Sequence, residues 1–174
     1  MLNRPLLILV HPGSLCGSAN CNLGTFEARS VRDAVATTLQ NWNGDVLVLL
    51  GDLCDELDCY PQLQNAIDTA MTHSATEGGR GVAIDAPDPD HPEIALKQLK
   101  EWGVAAGAPL RLTGAWFDPT EASGCINSTR EALRNAGFDD IEVLDCAAQL
   151  SPFDVEHGEE ETAPPRTRTT PKDR

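Results

Sequence analysis

The sequence contains few aromatic residues, few basic residues and no long apolar run. Phe, Trp and Tyr make up 5% of the 174 residues. The 13 Lys and Arg residues are outnumbered by 27 Asp and Glu residues, which gives a formal net charge of -14. A surface of this sign repels nucleic acid and anionic lipid, so we expect neither as a partner.

A membrane span is also not expected at the start of the chain. The opening stretch 1–10 carries an apolar run about half as long as the 18 or more residues that a span requires. We interpret it as a buried first strand rather than as a signal peptide. Without an export signal, the six cysteines are expected to be reduced thiols in the cytoplasm.

The cysteine spacing does not favour a metal site. Cys16 and Cys21, and likewise Cys54 and Cys59, are separated as C-x4-C, which is wider than the C-x2-C spacing of common zinc sites. The four histidines do not flank these pairs at a familiar ligand spacing. We therefore predict neither a structural zinc ion nor any other cofactor.

The length and the 41% apolar content are typical of one globular domain. We assign this domain to residues 1–155. Residues 156–174 are dominated by Pro, Thr, Glu and Arg without an apolar period, so they are predicted to form a disordered polar tail.

Apolar periodicity predicts alternating strands and helices. Short runs rich in Leu, Ile and Val are typical of strands covered on both faces, as in parallel sheets. Spacings of three and four between apolar residues predict amphipathic helices. The predicted strands are Leu6–Val10, Val46–Leu50, Gly81–Ile84, Leu110–Trp116 and Ile141–Leu144, and the predicted helices are Thr25–Gln40, Gln62–Thr72, Glu93–Gly103 and a segment from Cys125 to Gly137.

This alternation predicts an α/β fold. We expect a three-layer, doubly wound and mostly parallel sheet of five or six strands, with helices on both faces. In such sheets, the ligand crevice lies beyond the carboxyl ends of the strands.

Cys125 is the strongest candidate for chemistry. It opens a predicted helix, where unpaired backbone N–H groups and the helix dipole favour a thiolate. The alternative is that Cys125 is a small apolar residue that packs the helix onto the sheet.

Two further polar residues follow predicted strands. His11 comes directly after the first strand and Asp85 directly after the third. If the first, third and fourth strands are neighbours, Cys125 could attack a substrate, His11 could move the proton and Asp85 could orient the imidazole. Alternatively, His11 caps the strand by bonding a loop carbonyl, and Asp85 is a turn residue.

The loop after the first strand is rich in Gly, Ser and Asn. It does not match the phosphate-binding G-x4-G-K-S/T or G-x-G-x-x-G motifs. Its Ser14, Gly17 and Ser18 are predicted to contact a substrate, together with Trp116 and Gly124. A plain flexible connection is the alternative.

Residues 93–148 resemble the isochorismatase-like cysteine hydrolases. The features that carry the resemblance are the helix ending Leu-Lys-Glu-Trp-Gly-Val104, the strand Leu110–Trp116, Gly124-Cys125-Ile126, and the segment from Ile141 to Ala148. The resemblance implies an α/β hydrolase with Cys125 as nucleophile, acting on a small amide or another C–N compound.

The chain departs from this family at two positions. His11 stands where the family has Asp, and Asp85 stands where the family has Lys. One alternative is therefore a rearranged triad, and the other is a degenerate relative that binds a partner without catalysis. The start of the chain is also similar to flavodoxin-like quinone reductases, which implies FMN binding with Trp116 against the flavin ring. We expect a small-molecule substrate, and a homodimer remains open.

Overall fold

The computed structural model describes residues 4–16, 25–51, 57, 60–115, 117 and 124–146, with only the backbone of residues 25–30. The predicted tail at 156–174 lies outside these residues. Five strands form one all-parallel sheet in the order β3-β2-β1-β4-β5. They are β1 (Leu6–Val10), β2 (Asp45–Leu50), β3 (Gly81–Asp85), β4 (Leu110–Gly114) and β5 (Ile141–Val143).

Helices cover both faces of this sheet. The helices are α1 (Thr25–Gln40), α2 (Pro61–Thr76), α3 (His91–Glu101) and α4 (Cys125–Asn135). Leu7 and Leu9 of β1 pack with α1 and α2 in one apolar core. Leu6, Ile8 and Val10 pack with α3 and α4 in the other. The predicted three-layer, doubly wound α/β fold is confirmed.

The strand order corrects one premise of the sequence argument. β1 lies between β2 and β4, whereas β3 is an edge strand that pairs with β2. The first, third and fourth strands are therefore not mutual neighbours. The order also differs from the flavodoxin-like order 2-1-3-4-5. The resemblance to flavodoxin-like reductases is thus not supported by the topology.

Several boundaries differ from the predicted ones for local reasons. β4 ends at Gly114, two residues earlier than expected, because Gly114 has φ 123 and approaches Val10 of β1 closely. α3 begins two residues earlier than expected, at His91. Pro92 lies in the first turn of this helix, where backbone N–H groups have no intrahelical acceptor. Proline, which has no N–H group, therefore loses no hydrogen bond there.

Among the described residues, no helix combines the length and the apolar character that crossing a membrane requires.

Candidate functional site

Four side chains meet at the carboxyl edge of the sheet. Sγ of Cys125 lies 3.4 Å from Oδ2 and 3.7 Å from Oδ1 of Asp88. Nδ1 of His91 lies 2.7 Å from Oδ1 of Asp88. The rings of His11 and His91 meet edge to face with their centroids 4.6 Å apart. We call these four residues the carboxyl-edge cluster.

Gly51 explains how His11 reaches the β3 side of the sheet across β2. It directly follows β2, and a Cβ atom there would lie 3.0 Å from Cδ2 and 3.1 Å from Cγ of His11. Because Gly51 has no side chain, the imidazole can occupy this space. Nε2 of His11 then donates to the carbonyl oxygen of Ala86, just after β3, at 2.9 Å.

The backbone of His11 also directs its ring. Alternation along β1 would place residue 11 on the same side as Leu7 and Leu9, under α1 and α2. His11 instead has φ 46 and ψ 56, in the left-handed region that non-glycine residues rarely adopt. This conformation ends the alternation, and the ring contacts His91 of α3.

Cys125 begins α4, as predicted, and its side chain is buried, with 5% of the residue exposed. Burial raises the pKa of the thiol, and the neighbouring Asp88 carboxylate raises it further by charge and by accepting a hydrogen bond. The expectation that the helix N-terminus yields a thiolate is therefore not supported. The nearest titratable partner is an anion, which favours the protonated thiol.

His91 is held from two sides. Its Nε2 atom donates to the carbonyl oxygen of Cys125 at 3.1 Å, while Nδ1 faces Asp88. Burial lowers the pKa of His91, and the neighbouring His11 acts in the same direction, against the raising effects of the Cys125 carbonyl and Asp88. The imidazole is therefore driven towards its neutral form.

Asp85 is not among the residues that make the contacts of the cluster. Asp85 is exposed at the end of the edge strand β3. Among the described residues, no hydrogen bond or ion pair connects Asp85 with His11. His11 bonds the carbonyl oxygen of Ala86, which agrees with the alternative in which it bonds a loop carbonyl. The carboxylate beside the thiol belongs to Asp88.

Two of the five predicted substrate-binding residues, Ser14 and Gly124, are among the described residues. Gly124 caps α4 with φ 96, and its carbonyl oxygen accepts the N–H of Ser128 at 2.9 Å. Ser14 lies in a short 3-10 turn, Pro12–Leu15, where its N–H donates to the carbonyl oxygen of His11. The other three predicted residues, Gly17, Ser18 and Trp116, lie outside the described residues.

The sequence argument missed Asp88 and His91. Residues 87–92 lie between a predicted strand and a predicted helix, and the sequence argument assigned them no role. A carboxylate three residues before an imidazole, between a strand and a helix, was the available signal. In an α/β sheet this segment borders the ligand crevice.

Three of the four side chains have donor atoms suited to a metal ion. One ligand atom each from His11, Asp88 and His91 lies within 4.8 Å of the others. The sequence argument predicted no metal site because it considered only the cysteine pairs and histidines near them. These ligands come from the end of β1, the segment between β3 and α3, and the start of α3, so no short motif contains all three.

A concave region lies at the opposite edge of the sheet from the cluster. This cleft of about 460 Å³ is bordered by the amino ends of the strands and includes Asp45, Arg80 and Trp102. Nη2 of Arg80 pairs with Oδ2 of Asp45 at 2.6 Å. No residue of the carboxyl-edge cluster borders this cleft.

Comparison of the chain with protein-family models, with curated proteins and with solved structures finds no match.

Proposed function

We propose that this chain is a cysteine-dependent hydrolase of a small amide or a related C–N compound. Cys125 is the nucleophile and Asp88 is its proton acceptor. The main support is the contact of 3.4 Å between Sγ of Cys125 and Oδ2 of Asp88, which puts a base within reach of the thiol proton. The substrate class rests on the resemblance of residues 93–148 to isochorismatase-like hydrolases.

The reaction needs no other reactant than water. Sγ attacks the carbonyl carbon of the amide while the thiol proton passes to Asp88. The C–N bond then breaks, Asp88 returns the proton to the leaving nitrogen, and ammonia or an amine departs from a thioester. Water, activated by the same carboxylate, hydrolyses the thioester to a carboxylic acid and restores the thiol.

The surrounding groups have supporting roles in this proposal. Nδ1 of His91 lies 2.7 Å from Oδ1 of Asp88, and His11 packs against His91. Backbone N–H groups in the first turn of α4 have no intrahelical acceptor and can bind the developing oxyanion. Burial and Asp88 raise the pKa of Cys125, so the thiol stays protonated until attack.

Ammonia release tests the reaction directly. We expect the wild-type protein to release ammonia from at least one member of a panel of small primary amides. Cys125→Ala should abolish this release, and Asp88→Asn should reduce it by about 10²-fold or more, because general base catalysis is lost. Cys146→Ala is the matched control, since Cys146 is a free, half-buried thiol outside the cluster.

Alkylation of Cys125 by iodoacetamide tests whether Asp88 acts as a base or only as a structural carboxylate. Removing the charge of Asp88 lowers the pKa of Cys125, although the effect of burial remains. Cys125 should therefore be alkylated faster in Asp88→Asn than in the wild type at neutral pH, while the ammonia release of the variant falls. Peptide mass spectrometry can follow this cysteine separately from the other five cysteines of the chain.

Asp90→Asn provides the control for the carboxylate, because Asp90 is exposed and lies two residues from Asp88. This substitution should leave the rate of Cys125 alkylation and the rate of ammonia release unchanged. A folded wild-type protein that releases no ammonia from the panel, or a Cys125→Ala variant that retains the activity, would contradict the proposal. The non-catalytic binding alternative would then be favoured.

A further inference from the structure

A buried nitrogen of His91 lacks a hydrogen-bond donor. Only 2% of His91 is exposed, and its Nδ1 atom has no hydrogen-bond partner of acceptable geometry. The nearest group is Oδ1 of Asp88 at 2.7 Å, which is also an acceptor when the carboxylate is ionised. A cation beside these two atoms would stabilise both.

The two histidines have the same hydrogen-bond arrangement. Nε2 of His11 contacts the carbonyl oxygen of Ala86 at 2.9 Å, and Nε2 of His91 contacts that of Cys125 at 3.1 Å. Because a carbonyl oxygen only accepts, each Nε2 carries the proton, and in the neutral ring Nδ1 keeps the lone pair. Metal-binding histidines are typically oriented in this way, with the second ring nitrogen donating to a carbonyl or carboxylate.

The separations require only a small adjustment. One ligand atom from each of His11, Asp88 and His91 lies within 4.8 Å of the others. Tetrahedral zinc with ligands at 2.0–2.2 Å places ligand atoms about 3.3 Å apart. Side-chain rotations would therefore have to shorten the longest separation by up to about 1.5 Å. The side chain of Asp88 is 47% exposed, so an ion can reach the site from solvent.

We propose that His11, Asp88 and His91 bind one divalent transition-metal ion, for which Zn²⁺ is the best fit. Two imidazoles and one carboxylate suit zinc, whereas Mg²⁺ prefers an all-oxygen octahedral set. Three protein ligands leave a fourth position open to water or substrate. Cys125 is not one of the three ligands, so loss of its thiol should leave the metal site intact, although Asp88 is shared with the proposed hydrolase.

Calorimetric titration of the chelator-treated full chain with Zn²⁺ tests the proposal. We expect one ion per chain, a rise in melting temperature with added zinc, and no binding of Mg²⁺. Asp88→Asn should weaken zinc binding at least tenfold, because even partners of metal ligands contribute 10-fold to 100-fold. Asp88 is half-exposed, so this isosteric variant should fold, which circular dichroism can verify.

His91→Asn and His11→Asn should weaken zinc binding to a similar extent. The matched controls are His73→Asn, an exposed histidine on α2, and Asp90→Asn, an exposed neighbour of Asp88. Both should bind zinc as wild type does. Cys125→Ala should also retain affinity, which separates this proposal from the hydrolase proposal.

Cobalt substitution distinguishes this site from a cysteine site elsewhere in the chain. A nitrogen and oxygen ligand set gives no thiolate-to-cobalt charge-transfer band in the near ultraviolet. Absence of zinc binding, unchanged affinity in Asp88→Asn and in the folded His91→Asn or His11→Asn variants, or a strong thiolate band from the bound Co²⁺ would each overturn the proposal.

Discussion

Gly51 leaves room for the ring of His11 at the end of β2. The imidazole occupies the space that a side chain at residue 51 would fill. The ring can therefore pass over the end of β2 and bond the carbonyl oxygen of Ala86. The absence of a side chain at one position thus brings the ends of two non-adjacent strands into contact.

Gly51→Ala should displace His11. The new Cβ would lie 3.0 Å from Cδ2 of the ring, which is closer than ordinary van der Waals contact, so the ring must shift by a few tenths of an ångström. We expect zinc affinity to fall about tenfold, as it does when the partner that orients a metal ligand is lost. Calorimetric titration with Zn²⁺ measures the change.

Gly107→Ala is the matched control, because a Cβ atom there has no heavy atom within 4 Å. It should bind zinc as wild type does. Equal affinities in the two glycine variants would show that the position of His11 does not depend on the space at Gly51.

The pairing of β1 with β4 sets the distance between His11 and Cys125 along the sheet edge. Val10 pairs with Gly114 at the end of the two strands, and the N–H of Ala115 donates to the carbonyl oxygen of Val10 at 2.9 Å. His11 follows one strand, and the segment that leads to α4 follows the other. This strand pair therefore aligns the two halves of the cluster.

Gly114→Ala should weaken this pairing. Gly114 has φ 123, and a Cβ atom there would lie 2.0 Å from the carbonyl oxygen of Val10, a backbone atom that cannot rotate away. We expect the free energy of unfolding to fall by more than about 1 kcal/mol, as for Ala at a position that requires a positive φ. Urea denaturation measures this loss.

Gly137→Ala distinguishes the loss of stability caused by backbone strain from the loss caused by steric overlap. Gly137 also has a positive φ, of 94, but a Cβ atom there has no heavy atom within 4 Å. This variant should lose about 1 kcal/mol from backbone strain alone. If the two variants lose the same stability, the contact between Gly114 and Val10 contributes nothing.

The elements were more predictable from the sequence than the site was. The apolar runs of β1 and β2 and the helical spacing in α1 are local patterns, and the structure has strands and a helix at these places. The composition of the cluster depends instead on the strand order and on the space at Gly51, which are long-range properties. Cys125 was therefore identified from its helix start, whereas Asp85 was selected in place of Asp88.

The acidic composition affects the whole molecule. A formal charge of -14 on 174 residues produces mutual repulsion that is stronger in the compact state than in the expanded chain. Some of this repulsion is offset by local pairs, such as Arg111 with Asp140 at 3.0 Å and Arg134 with Glu131 at 2.9 Å. Because such exposed pairs contribute little, a net destabilising effect should remain at low salt.

Salt should therefore stabilise this protein. Raising NaCl from about 10 mM to about 100 mM shortens the screening length from about 30 Å to about 10 Å. The repulsion is weakened more than the short ion pairs are, so the free energy of unfolding should rise by about 1 kcal/mol and the melting temperature by about 2–4 °C. Replacing the exposed Asp139 and Asp145 together by Lys should raise stability at low salt and reduce the salt dependence. A melting temperature that falls with salt in wild type would show that the ion pairs outweigh the repulsion.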